Sequence, residues 1–106
     1  MIEVRDLLMY EDNKIIGFSN HTLNYTEESI VIGRDSIINN CDIYYSTSEG
    51  LCLEYSKEYT YIKDLRALIK KYNIPLDEEV IMWDSDDGNI ITFNYVLENM
   101  DYVVLV

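Results

Sequence analysis

The sequence predicts an α+β fold, with a small antiparallel sheet or sheets and one main amphipathic helix, at about 60–72, packed on one sheet face. Two observations support this. Several short runs rich in Ile, Val, Tyr and Leu are bounded by Asn, Asp, Ser and Gly, as strands tend to be. One stretch in the middle of the chain instead repeats its apolar residues with helical spacing. We therefore expect strands, one helix and further strands, in a single domain spanning 1–106.

The predicted helix has the most regular pattern in the chain. Its apolar residues recur at spacings of three, four and three and form one stripe: Ile62, Leu65, Ile69 and Tyr72. Thr60 is the expected N-cap, with Asp64 in the first turn, where a carboxylate suits the helix dipole. Asn73 followed by Pro75 is expected to end the helix.

Strands are expected on both sides of this helix. They are predicted at 13–18, 29–33, 41–46, 50–55, 79–83, 89–96 and 102–106. The dipeptide Asp87-Gly88 predicts a hairpin between two of the later strands, because a tight turn needs the positive φ that Gly and Asp tolerate. The stretch 2–10 fits either a strand or a short helix.

The two cysteines, Cys41 and Cys52, are expected to be free thiols. They fall in the predicted strands 41–46 and 50–55. In a hairpin closed between those strands, Cys52 faces residues near 43–45, and Cys41 lies at least two positions further along. That separation exceeds the Cα distance of about 4.4–6.8 Å that a disulfide tolerates.

The overall charge bears on location and partners. With 20 acidic and 8 basic residues, the formal net charge is -12, which repels phosphate backbones and argues against direct nucleic-acid binding. No run approaches the ~18 apolar residues of a membrane span. The first residues have neither the basic region nor the apolar region of a secretory signal. We therefore expect a cytoplasmic protein of a bacterial host, with no membrane contact.

Motifs for catalysis or metal binding are missing from the sequence. The chain has one histidine, His21, and no G-x-S-x-G nucleophile motif. The acidic stretch 84–89 does not fit a calcium loop, because Asn89 stands where the loop needs Gly and Tyr95 where it needs Glu. We therefore expect a protein that is not an enzyme and that holds no cofactor or metal.

The acidic residues are distributed unevenly. Residues 1–72 hold 12 acids and all 8 bases, whereas residues 73–106 hold 8 acids and no base. A dense negative face there would imitate a run of phosphates and occupy a basic groove of a protein partner. The predicted partner-binding residues are Asp77, Glu78, Glu79, Asp84, Asp86, Asp87, Glu98 and Asp101. The alternative is that the acidity only keeps a small domain soluble.

Tyrosine is the second unusual feature, with 10 in the chain. Several lie close in sequence: Tyr44, Tyr45, Tyr55, Tyr59 and Tyr61. Tyrosine is enriched at interfaces but is also a common strand residue. A self-associating adaptor domain, such as a homodimer joined through this tyrosine-rich hairpin, is therefore one alternative.

In composition the chain resembles the small acidic inhibitor proteins of phages and mobile elements, of the anti-CRISPR and DNA-mimic type. The resemblance covers the whole chain: short length, a surplus of Asn, Ile and Tyr that suggests an AT-rich genome, no catalytic motif and an acidic surface. It implies a non-enzymatic inhibitor that blocks a nuclease or a CRISPR effector. An immunity or antitoxin protein that neutralises a basic toxin is the second alternative.

Overall fold

The structure is a computed structural model that describes residues 1–19, 38–84 and 88–106. Its elements are α1 (Val4–Leu7), β1 (Ile15–Phe18), β2 (Asn39–Ser46), β3 (Gly50–Tyr55), β4 (Thr60–Tyr61), α2 (Ile62–Tyr72), β5 (Val80–Asp84), β6 (Asn89–Thr92), β7 (Val96–Glu98) and β8 (Tyr102–Leu105). The predicted strand 29–33 and His21 lie outside the described residues.

The strands form one mixed sheet in the order β6-β5-β3-β2-β1-β8-β7, with β4 also paired to β1. One edge of β1 is shared, because Gly17 and Phe18 pair with β2 while Ile15 and Ile16 pair with β4. The other edge of β1 pairs in parallel with β8. A side chain at Gly17 would meet β2, since an added Cβ would lie 3.1 Å from the carbonyl oxygen of Asn39.

The sheet is curled into a half-barrel. Its two outer strands, β6 and β7, are joined only by residues 93–95. Six strand spacings of about 4.8 Å would put these edges roughly 29 Å apart in a flat sheet. Four Cα–Cα steps span at most about 14 Å. The short connection therefore requires the two edges to approach each other.

Helix α2 packs with the concave side of the curl to form the core. Its buried residues, Ile62 and Leu65, contact the strands together with residues of α1. The other buried core residues include Val4, Leu7, Ile16, Phe18, Cys41, Leu51, Leu53, Val80, Phe93, Val103 and Leu105. Burying these side chains is the main stabilising contribution to the fold.

The expected α+β class, a small antiparallel sheet with one main helix, is wrong. Strands account for 44% of the structure and helices for 18%. Two of the strand pairs, β1–β8 and β3–β5, are parallel. Residues 56–79, which include α2, form the crossover that a parallel pair requires. Turn signals favour antiparallel neighbours, so these two parallel pairs could not be predicted from them.

The predicted helix is confirmed as α2, but its expected N-cap is not. The N-cap is Tyr61, whose backbone N–H donates to Asp64 Oδ2 at 2.8 Å. Thr60 instead begins β4, and its hydroxyl donates to the carbonyl oxygen of Cys41 at 2.6 Å. At the other end, Asn73 has a φ of 55° and closes the helix as expected.

Most of the described strands lie where the sequence placed them. There are two exceptions: 89–96 is divided between β6 and β7, and β4 occupies residues that were predicted to begin the helix. The Asp-Gly hairpin is confirmed, since β5 and β6 pair antiparallel and Gly88 has a φ of 69°. The free thiols are also confirmed, because Cys52 lies opposite Tyr44, whereas Cys41 lies opposite Tyr55.

Candidate protein-binding surface

The predicted partner-binding acids fall in separate parts of the sheet. The three at 77–79 precede β5, and Asp84 ends the same strand. Glu98 ends β7 and Asp101 precedes β8, and three strands lie between β8 and β5 in the sheet order. Asp86 and Asp87 lie outside the described residues. The described candidates therefore do not all share one strand end.

The two acids near β7 and β8, Glu98 and Asp101, contact residues at the start of β1. The Glu98 carboxylate lies 3.2 Å from Lys14 Nζ, which also donates to the carbonyl oxygens of Asn99 and Met100. The backbone carbonyl of Asp101 accepts the Ile15 N–H at 2.8 Å. These contacts tie the β7–β8 turn to the start of β1, and the charge of Glu98 is compensated.

The acids at 77–79 are joined by two acids from elsewhere in the chain. Glu3 forms an antiparallel bridge with Glu79. Glu49 precedes Gly50, which lies beside Glu79 because Leu51 pairs with Val80 in the adjacent register position. We call this group the acidic end: Glu3, Glu49, Asp77, Glu78 and Glu79. Sequence reasoning missed Glu3 and Glu49, because only the sheet pairing brings them here.

The acidic end carries little compensating charge. Arg5 Nε lies 3.3 Å from Glu3 Oε2, and in the part of the chain that the structure describes this is the ion pair that the group makes. Glu78 lies over the β2–β3 turn, where a Cβ added to Gly50 would be 2.5 Å from Glu78 Oε1. Glu49 and Asp77 are exposed. Among the residues that the structure describes, the other four carboxylates have no paired cation.

A groove lies on the face of β2, β3 and β5 that points away from the core. Cys52 is opposite Tyr44 on one side and Ile81 on the other, so the three side chains share this face. Cys52 and Ile81 are buried but do not belong to the core cluster. The groove has a volume of about 330 Å³ and is lined by Tyr44, Leu53, Glu54, Tyr55, Met82 and Trp83. We call it the aromatic groove.

Tyr44 and Trp83 both lie close to the Cys52 sulfur. The Tyr44 hydroxyl hydrogen-bonds to Cys52, and burial, this bond and the nearby negative charges raise the pKa of Tyr44 to about 12. The Trp83 indole N–H is buried and has no hydrogen-bond acceptor among the described residues. It nevertheless lies close enough to the Cys52 sulfur to lower the pKa of that thiol.

The acidic end lies near the aromatic groove, at the start of the same strands β3 and β5. Burial is the largest cause of the raised pKa of Cys52, and the charges of Glu49 and Glu78 raise it further. Glu49 and Glu54 likewise raise the pKa of Tyr44. The charges of Glu49 and Glu78 therefore reach residues at and beside the groove.

The two thiols of the chain are not activated as nucleophiles. A cysteine nucleophile reacts as the thiolate, which requires a lowered pKa. Burial instead raises the pKa of Cys52, and it raises the pKa of Cys41 to about 12. Across residues 1–19, 38–84 and 88–106, no group of three His, Cys, Asp or Glu side chains is placed to hold a metal ion.

Comparison with known proteins adds no family: no family model, curated protein or solved structure matches the chain. Among the helices of the described residues, none is long and apolar enough to cross a membrane. The proposal for function therefore depends on the geometry and charge of the surface formed by the acidic end and the aromatic groove.

Proposed function

We propose that this chain is a non-enzymatic, protein-binding inhibitor that occupies a basic groove of a nucleic-acid-processing protein, such as a nuclease or a CRISPR effector. One observation carries the proposal. Five carboxylates from three separate segments converge on one end of the sheet, and a single arginine pairs with one of them. The acidic end is thus built by the fold and not by one charged run.

Uncompensated charge of one sign favours association with a partner of the opposite sign. Interactions between exposed charges act over about 10 Å at moderate ionic strength, so they accelerate encounter and weaken as salt is added. Basic grooves that hold phosphate backbones provide the complementary surface. The net charge of -12 adds a repulsion for nucleic acid itself, so the partner is a protein.

The aromatic groove supplies the apolar part of an interface. Strongly bound interfaces have a centre rich in Tyr and Trp with a polar rim, because desolvated aromatic side chains contribute most of the binding energy. Here Tyr44 and Trp83 line the groove together with the exposed Glu54. This arrangement gives the acidic end a neighbouring anchor site, which charge alone does not provide.

Capture followed by competition tests this function. The tagged protein is incubated with host lysate, and bound proteins are eluted with rising salt and identified. The main partner is then purified, and its complex with this chain is challenged with duplex DNA and with RNA. We expect one of these nucleic acids to displace this chain, since both would occupy the same groove.

Two outcomes would overturn the proposal. One is a purified partner that binds nucleic acid and this chain simultaneously, without competition. The other is a partner that has no nucleic-acid site, such as a basic toxin with a different substrate. The second result would support the immunity or antitoxin alternative, and self-capture alone would support a self-associating domain.

A further inference from the structure

We infer that the aromatic groove binds an arginine side chain of the partner protein. This inference rests on the proposed function, because it names the chemistry that the partner inserts beside the acidic end. It depends on three observations: the groove is lined by aromatic side chains, it contains an exposed carboxylate, and that carboxylate has no cation from the described chain.

The aromatic lining favours a cation. A guanidinium or ammonium group is attracted to the face of a tryptophan or tyrosine ring within about 6 Å. The chain makes two such contacts itself, with Lys63 Nζ and Lys71 Nζ each 5.1 Å from a tyrosine ring centroid. Tyr44 and Trp83 present comparable rings at the groove.

Glu54 provides the complementary charge. It lies on β3 two residues after Cys52, so its side chain points to the same outer face. Its neighbours on that face are Asp42 on β2 and Trp83 on β5. Within the described ranges the three ion pairs use other acids, namely Glu3, Glu98 and Asp12. The Glu54 carboxylate is therefore available to a cation from outside the chain.

Arginine fits this combination better than lysine. Its guanidinium is planar, stacks on aromatic faces and bonds to a carboxylate through two parallel N–H donors. A groove of about 330 Å³ also has room for the apolar stem of a long side chain. Arginine is abundant in proteins that hold phosphates, which is consistent with a partner that processes nucleic acid.

The only tryptophan of the chain, Trp83, lines the groove and so reports its occupancy. The probe is the peptide acetyl-Gly-Arg-Gly-amide, and the control is the same peptide with citrulline, which keeps the shape and removes the charge. We expect the arginine peptide to change the fluorescence of Trp83 in a saturable way, and the citrulline peptide to have little effect.

A pair of variants locates the site. Glu54→Gln should weaken binding of the arginine peptide roughly fivefold, because it removes the charge and keeps the size. Glu11→Gln makes the same charge change at an exposed residue outside the groove and should bind as the unmodified chain does. Equal binding of the arginine and citrulline peptides, or equal loss in both variants, would overturn the inference.

The same variants separate this inference from the proposed function. If Glu54→Gln leaves the affinity for the captured partner unchanged while nucleic acid still displaces the chain, the proposed function stands and the arginine site is wrong. If nucleic acid does not compete but the arginine peptide binds through Glu54, the groove is a cation site on a protein with another role.

Discussion

The two cysteines of the β2–β3 hairpin are buried on opposite faces of the sheet. Cys41 lies in the core, and its thiol donates to the carbonyl oxygen of Ile16 at 3.5 Å. Cys52 lies on the outer face beneath Tyr44 and Trp83. Both are fully buried. The paired strands β2 and β3 thus each bury one thiol, Cys41 towards the core and Cys52 on the outer face.

Burial of Cys41 makes stability depend on pH. Burial raises its pKa from 9.0 to about 12 in the folded chain, so the folded state holds this proton more tightly than the unfolded state. Its contribution to the free energy of unfolding is complete below pH 9.0 and is lost as the pH rises towards about 12. We expect urea unfolding to show a lower free energy at about pH 11 than at about pH 8.

The control for this pH effect is Cys41→Ala, which removes the titrating group. Tyr44 also has a raised pKa, so some loss of stability at high pH remains in the variant. The loss between the two pH values should nevertheless be smaller than in the unmodified chain. An identical loss in both proteins would show that Cys41 does not contribute.

At the scale of elements, three hydrogen bonds hold the start of α2. The backbone N–H groups of Ile62 and Lys63 donate to the carbonyl oxygens of Lys14 and Asp12, at 3.0 and 3.2 Å. The carboxylate of Asp64 accepts the backbone N–H of Tyr61, one of the donors that a helix leaves without an intrahelical partner. Because β4 ends at Tyr61, this bond also fixes where the chain ends its pairing with β1 and enters the helix.

Removing this bond should destabilise the fold measurably. Asp64→Ala leaves the Tyr61 N–H without its acceptor, and we expect the free energy of unfolding to fall by about 1 kcal/mol. The matched control is Lys70→Ala, which changes an exposed residue near the other end of the same helix and should cost less than half as much. Urea denaturation of both variants measures the difference. Equal costs would mean that Asp64 does not hold the helix start.

The helix could be predicted from the sequence because its signal is local. Residues three and four apart fix its apolar face, and Asn73 and Pro75 mark its end. The parallel pairs β3–β5 and β1–β8 could not be predicted in the same way. Each joins segments that are far apart in the chain, and the pattern within a strand does not identify its neighbour.

At the scale of the molecule, the same parallel pairing determines the candidate surface. The sequence pointed to Asp77, Glu78 and Glu79 through their charge alone. Glu49 joins them because β3 lies beside β5, and Glu3 joins them through its bridge with Glu79. The aromatic groove arises from the alternation of side chains across three strands. Charge counting predicted part of the acidic end, but only the sheet topology assembles the whole surface.

The most direct test of this surface is the salt dependence of affinity for the captured partner. The test variant carries Glu49→Lys and Asp77→Lys, two exposed residues of the acidic end. The control carries Glu11→Lys and Glu58→Lys, which are also exposed and change the net charge equally. We expect the unmodified chain and the control to bind alike, with an affinity that falls as salt rises. The test variant should bind about tenfold more weakly at low salt and respond less to salt. Unchanged affinity in the test variant, or an equal loss in the control, would contradict a binding role for the acidic end.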